Sequence, residues 1–408
     1  MNYENVRRKV LLRKSKQRFP NLSAIGNQEE IIHMKRIGIV TFFSNCNYGS
    51  VLQAYALSQY LIQKGYDVEI IDYLNTNNLF NIKMKIRTIS NRLGVLLTHP
   101  SMWRTALKSK STAKRSVTTL PYETISNYKD FIENNLKPYR GKYHRNSDFD
   151  AFICGSDQIW QISAPGLNNI FFLRFTMPQK RIAYAASLGS ITVPKYNAKR
   201  FEKYINGFSA ISVRECASKQ LIKDFCNQES AHVIDPTLLI GKAFWSSITT
   251  KYEKQDKYIL CYFLDKCTGV ENIINLAKSN DLQVFWIETG TEKPNGSKQI
   301  SPSPFEFVSL MQNADYVFTD SFHACCFSSL FERSFYVVRR NYQGYPAQHI
   351  RIEELLTTLK LNERHIDTCL EVQQLEPISA ERYNVADNKL SELRKVSVHF
   401  LESALKNI

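Results

Sequence analysis

Asp320-Ser321-Phe322-His323 stands just past an apolar run at 315–319 and opens the next helical pattern. A histidine at the carboxyl end of a strand faces the crevice where α/β proteins place their chemistry. Imidazole titrates near neutrality, so it can give and take a proton; a structural role stays open beside this one. Arg214 follows the run 210–213 in the same way. Its guanidinium fork can clamp a carboxylate or phosphate, or simply pair with Glu215. Asn45-Cys46-Asn47-Tyr48-Gly49-Ser50 joins the first apolar run to the first helical pattern. Gly49 suits a tight turn, and the helix start behind it offers backbone N–H groups to an anion or polar substrate. An ordinary capped turn would read the same. Neither G-x-G-x-x-G nor G-x-x-x-x-G-K-[ST] occurs, so neither a dinucleotide fingerprint nor a P-loop is supported.

The elements that must position these residues are legible as periodicity. Residues 37–43 form a strand-length apolar run, 51–64 a helix with Val51, Ala54, Leu57 and Leu61 on one face, and 67–73 a second strand. Gly65 ends the helix as a C-cap would. This βαβ unit implies a parallel sheet. Strand-like runs follow at 149–154, 181–187, 210–213 and 232–234, each stopping at small or polar residues. A second series begins near Lys257, with strands at 258–264, 282–287, 315–319 and 335–339. Helices are expected at 270–279, 304–312, 323–331 and 350–359, and a last helical stretch at 380–406. The expected fold is α/β, with two Rossmann-like domains facing across a cleft that holds the substrates. The expected order is a basic tail (1–33), an N-terminal domain (34–237) and a linker (238–256). A C-terminal domain (257–375) and a C-terminal helix (376–408) follow.

Composition narrows the partners. The 408 residues carry a net charge of +15, which points to an anionic partner or to a solvated basic surface. Residues 73–122 hold nine Lys and Arg with no acid, interleaved with Leu93, Val95, Leu96, Leu97 and Trp103. This stretch reads either as an acceptor-binding or membrane-facing insert, or as a helical insert with a solvated face. The basic residues follow no nucleic-acid motif, so nucleic acid is not expected. Nine scattered cysteines, an odd number without C-x-x-C spacing, exclude a clustered zinc site and fit a reducing compartment. No metal and no cofactor are expected. With no long apolar run and no signal core, the expected location is cytoplasmic, at the inner membrane face if the basic segments bind lipid.

Taken together, several stretches resemble one family. They are IGIVTFFSNCNYGSVLQAYALSQYLIQKGYDVEIIDY at 37–73, DAFICGSDQIW at 150–160, RIAYAASLG at 181–189, ISVRE at 211–215, VIDPTLL at 233–239, TDSFHA at 319–324 and RIEELLTTLKL at 351–361. In order and spacing the chain resembles polysaccharide pyruvyl transferases across about 36–375. The resemblance implies two Rossmann-like halves like those of GT-B glycosyltransferases, phosphoenolpyruvate as donor, and a pyruvylated sugar, often a cyclic ketal, as product. The acceptor it implies is a surface polysaccharide or its lipid-linked precursor. The histidine of the family's S-F-H motif falls on His323, and the arginine of its S-x-R motif on Arg214. Where the family commonly has glycine after the histidine, this chain has Ala324. In this chemistry His323 would be the acid that protonates the enol carbon. Arg214 and Arg351 would bind the donor's anionic groups. Asn47, Gly49, Ser156, Asp157 and Ser321 are the remaining candidates for substrate contact; Ser156 and Asp157 could instead cap the helix after them. A nucleotide-sugar glycosyltransferase of the same plan, or a non-catalytic glycan binder, are the alternatives.

Overall fold

The continuous apolar runs become parallel strands, because a strand covered on both faces has no solvent side to make polar. The computed structural model describes residues 34–44, 46–74, 79–103, 120–141, 148–249, 257–340, 350–406 and 408. In the first half, β1 (Arg36–Val40), β2 (Asp67–Ile70), β3 (Ala151–Cys154), β4 (Arg181–Ala186), β5 (Ala210–Val213) and β6 (Ala231–His232) form one sheet. Its order is β2-β1-β3-β4-β5-β6. In the second, β7 (Tyr258–Tyr262), β8 (Gln283–Ile287), β9 (Lys298–Ile300), β10 (Tyr316–Thr319), β11 (Ser334–Val338) and β12 (His365–Ile366) lie in the order β12-β11-β10-β7-β8-β9. Every named strand pair is parallel. The central strands β3, β4, β7 and β11 are buried throughout, while the edge strands β2 and β9 keep partly open residues.

The helices are α1 (Tyr48–Gln63), α2 (Leu79–Thr98), α3 (Tyr122–Phe131), α4 (Ala198–Ile205), α5 (Cys216–Cys226), α6 (Pro236–Leu239) and α7 (Lys242–Ile248). The second series adds α8 (Glu271–Ser279), α9 (Pro304–Asn313), α10 (Phe322–Leu330), α11 (Ile350–Leu359) and α12 (Ala380–Lys406). The two-domain α/β expectation is thus met by two doubly wound sheets. The short strands β9 and β12 were not anticipated, since neither carries an apolar run. Helix α1 also departs from a one-faced reading, being buried on nearly all sides from Tyr48 to Leu61. It lies between the first sheet and the second half. Tyr48 stacks on Phe307 at 4.3 Å and its hydroxyl donates to the Pro302 carbonyl at 2.6 Å.

Helix α12 ties both halves. Tyr383 donates to the Arg333 carbonyl in the second half, and the Ser397 hydroxyl accepts from the Ile234 amide in the first. Residues Lys35–Ile408 form one compact unit. The tail 1–33, the stretch with Lys108, Lys110, Lys114 and Arg115, and 250–256 of the expected linker lie outside the described residues. Among the described residues no helix is long and apolar enough to cross a membrane.

Candidate functional site

Both sheets reverse their strand order once, and part of the site sits at the two reversals. In the first sheet the chain leaves β1 in one direction for β2 and in the other for β3, so the loops after β1 and β3 splay apart. In the second, the same reversal falls between β7 and β10. The loop after β1 and the first turn of α1 supply Asn47, Gly49 and Ser50, and the loop after β3 supplies Ser156 and Asp157. The N-cap and first turn of α10, after β10, supply Ser321 and His323. Two further strand ends contribute: Arg214 and Glu215 follow β5, and Asp235 follows β6.

Asp235 is the hub, and it was not among the residues singled out from sequence. One carboxylate oxygen accepts from the Thr237 amide at 2.9 Å and the Thr237 hydroxyl at 2.7 Å, capping α6. The other accepts from the Ser156 hydroxyl at 2.8 Å and Arg214 Nη1 at 3.1 Å, and lies 3.5 Å from His323 Nε2. Burial opposes its charge, yet the neighbouring His323 and Arg214 side chains overcome that penalty and hold the carboxyl far below its ordinary range. The sequence signals for Asp235 are its place before Pro236 at a strand end, as a helix cap, and its position within the VIDPTLL stretch.

Arg214 pairs with Glu215, but inside the protein and not at the surface. Its Nε lies 3.2 Å from the Glu215 carboxylate, with the side chain almost fully enclosed. Its guanidinium carbon stands 4.1 Å from the centre of the Phe322 ring. Burial opposes the cation, but Glu215, Asp235 and Asp157 more than offset this and raise its pKa further. Asp157 accepts from the Ser50 hydroxyl at 2.8 Å and from the Gln158 amide at 2.8 Å. Burial pushes its pKa up; His323, Arg214, Arg351 and the Ser50 hydroxyl reverse that and leave it lowered. Arg351, at the start of α11, also stands over Phe322, at 5.9 Å.

His323 is 5 % exposed. Gly49 makes room for it: a Cβ at residue 49 would stand 2.1 Å from His323 Nδ1. Gly49 lies inside the first turn of α1 rather than in a tight turn, so its lack of a side chain serves packing and not backbone freedom. Asn47 is the N-cap of α1, its side chain accepting from the Ser50 amide at 3.2 Å. That is a structural role. Ser156 is fully buried and bonded to Asp235 and the Ala185 carbonyl. Ser321 is buried at the start of α10, with its amide donating to the Thr319 hydroxyl at 3.0 Å. Ala324 fits into the first turn of α10, fully buried. Neighbouring Asp320 is structural: it binds Arg340 and the Leu264 and Asp265 amides.

Three nitrogens in this cluster have no hydrogen-bond partner among the described residues: Arg214 Nη2, His323 Nε2 and Arg351 Nε. Arg214 and Arg351 both stand over the Phe322 ring, and Arg214 and His323 both face Asp235, so the three side chains converge. Buried donors are normally satisfied, and three such nitrogens together could donate to an acceptor-rich, anionic molecule. Among the described residues no group of three His, Cys, Asp or Glu could hold a metal ion.

The sequence matches the family model for polysaccharide pyruvyl transferase over residues 47–342. No protein of curated function matches it significantly. Among solved structures it is similar to S. aureus MnaA in its UDP co-structure, at 12 % identity and a TM-score of 0.48, covering 92 % of this chain and 98 % of that one. It is also similar to UDP-GlcNAc 2-epimerase from Neisseria meningitidis bound to UDP-GlcNAc, at 13 % identity and 0.42, covering 92 % and 100 %. The glycosyltransferase SnogD from Streptomyces nogalater aligns at 10 % identity and 0.38, covering 91 % and 98 %.

Proposed function

Because this chain belongs to the polysaccharide pyruvyl transferase family, we propose that it moves a pyruvyl group from phosphoenolpyruvate to a sugar of a surface polysaccharide or its lipid-linked precursor. The observation that carries this reading is the trio of orphaned nitrogens on Arg214, Arg351 and His323. Phosphoenolpyruvate brings a carboxylate and a phosphate, and two arginines beside one another suit such a pair of anions.

In this reading His323 Nε2, 3.5 Å from the Asp235 carboxylate, hands a proton to the methylene carbon of the donor. The adjacent carbon becomes electrophilic and a sugar hydroxyl oxygen adds to it, releasing its proton. Asp157, ionised beside the cations, would accept a hydrogen bond from that hydroxyl, whose proton departs on the phosphate. The carbon–oxygen bond to phosphate breaks, and the phosphate leaves bound by Arg214 and Arg351. Attack by a second hydroxyl of the same sugar would close a ketal, its proton passing to His323 to restore the acid, so two hydroxyls and one donor yield one ketal and one inorganic phosphate. Asp235 keeps Arg214 and His323 in register, and Ser156 in turn orients Asp235.

The test is incubation of the full chain with phosphoenolpyruvate and a panel of nitrophenyl and lipid-linked sugars. The expected result is inorganic phosphate released in step with a pyruvylated sugar seen by mass spectrometry. Turnover of UDP- or GDP-sugars without use of phosphoenolpyruvate would instead indicate a glycosyltransferase. One observation favours a second reading, a glycan binder without turnover: Arg214, Asp235 and His323 are all nearly enclosed. Sugar binding with no phosphate release from any donor would select it.

A further inference from the structure

Helix α2 is turned the wrong way for a helix bathed only in water. It buries Asn81, Met84, Val95 and Leu96 against the body of the protein. Outward it presents Ile86, Ile89, Leu93 and Leu97, which are 59, 57, 48 and 75 % exposed. Steps of three, four and four residues set these side chains in one stripe along the helix. Lys83 and Arg87 share the exposed face, and the 20 residues of α2 contain no acid.

Beside the stripe lies an open depression between α2 and α4. Arg87, Arg174, Lys195, Lys199, Arg200 and Lys203 line it, and among the described residues no carboxylate does. Glu202, the acid of α4, acts on Cys226 and does not line the depression. Tyr204 stiffens the floor, donating to Asn169 at 2.7 Å and receiving from Asn91. Ile86 belongs to both stripe and depression, so the apolar and cationic surfaces are continuous.

We propose that this face docks the protein on an anionic lipid bilayer, with the stripe in the headgroup–acyl boundary and the six cations on lipid phosphates. Surface-lying helices combine these two features. A second copy of this chain fits poorly, because a two-fold contact would set the cations against their own images. The basic residues Arg7, Arg8, Lys9, Arg13, Lys14, Lys16 and Arg18 make the N-terminal segment a poor match in charge for the same cations. A nucleic acid would meet the cations but leave the apolar stripe in water. The proposal stands on this face and not on the chemistry assigned to Arg214 and His323.

Co-sedimentation of the full chain with phosphatidylglycerol-containing and pure phosphatidylcholine vesicles tests it. The expected result is binding to the anionic vesicles that weakens with salt, and little to the neutral ones. The triple variant Lys195→Gln, Lys199→Gln, Lys203→Gln should weaken the partition coefficient by about a hundredfold. The pair Ile89→Ser, Leu93→Ser should remove the binding that survives high salt. All five side chains are partly or fully exposed, so melting temperatures should hold; if one falls, the salt titration of the unaltered protein still decides. Equal binding to both vesicle types, or variants that bind like the parent, would overturn the proposal. So would a concentration-dependent dimer that Ile89→Ser, Leu93→Ser abolishes. Turnover of a nitrophenyl sugar, measured on the same variants, reports separately on the cleft.

Discussion

His323 owes its place to the absence of a side chain at residue 49. A Cβ there would stand 2.1 Å from Nδ1 and 2.5 Å from Cγ of the ring, so Gly49→Ala must push the imidazole aside. Overpacking of this kind costs about 1–3 kcal/mol, and we expect a modest loss of thermal stability with a much larger loss of turnover. Turnover equal to the parent's would show that the ring position is immaterial. His323→Ala should lower kcat by roughly a hundredfold or more, the usual worth of a general acid, with the fold intact by circular dichroism; unchanged kcat would remove His323 from the mechanism. Arg214 calls for a gentler change, because truncation would leave Asp235 and Glu215 as unpaired buried charges, at about 3–5 kcal/mol. Arg214→Lys keeps the charge and loses the fork. It should raise KM for phosphoenolpyruvate and spare KM for the sugar, whereas a change in the sugar's KM alone would assign Arg214 to the acceptor. Asp157 and Asp235 add a pH dependence. Both carboxyls sit below their ordinary range when folded, so their contribution is complete above the unfolded value of about 3.9 and fades as pH falls through the folded values. The melting temperature should therefore drop on acidification below about pH 4, and Asp157→Asn should flatten that drop; a variant with the parent's acid profile would contradict the assignment. His323 and Arg214 could be singled out from sequence because each follows an apolar run. Asp235 could not, since its meaning depends on Ser156, Arg214 and His323 meeting it from three other loops.

Among the elements, α11 holds Arg351 through a contact one turn further on. The Glu354 carboxylate accepts from the Cys216 and Ala217 amides, so a side chain from the second half caps α5 in the first. Free amides at a helix start favour an anion there, although burial raises the pKa of Glu354. Glu354→Ala should cost about 1 kcal/mol, as loss of a cap does. It should also raise KM for phosphoenolpyruvate by loosening the helix that carries Arg351. Lost stability with an unchanged KM would confine Glu354 to a structural part. Such a cap is invisible in sequence, because 138 residues separate the amide of Cys216 from its acceptor. The regular elements were legible for the opposite reason. Strand Ala210–Val213 and helix Ile350–Leu359 match their expected limits, since local periodicity marks them. Strands Lys298–Ile300 and His365–Ile366 exist only through pairing with β8 and β11.

At the scale of the whole molecule, two α/β series could be read from the sequence, but their degree of union could not. The sequence places Val51, Ala54, Leu57 and Leu61 on one face of helix α1. In the structure its remaining faces are buried too, because the second half covers them. Tyr48 packs on Phe307, Tyr55 on Phe305 and Phe244, and Trp245 on Phe327, so aromatic contacts run from α1 through α7 to α9 and α10. One apolar core takes in residues of both sheets, from Ile37 and Ile153 to Val317 and Val337. The hydroxyl of Tyr48 and the helix α12 add polar ties across the same boundary. A domain that could unfold alone would have to expose this shared core, and burial is worth roughly 25 cal/mol for each Å² of apolar surface. We therefore expect one cooperative thermal transition in calorimetry, with calorimetric and van't Hoff enthalpies in agreement. Tyr48→Ala removes a fully buried ring from the shared core and should lower that transition by about 3–5 kcal/mol without splitting it. Two resolved transitions in the parent protein, one of them unmoved by Tyr48→Ala, would show that the halves are energetically separate.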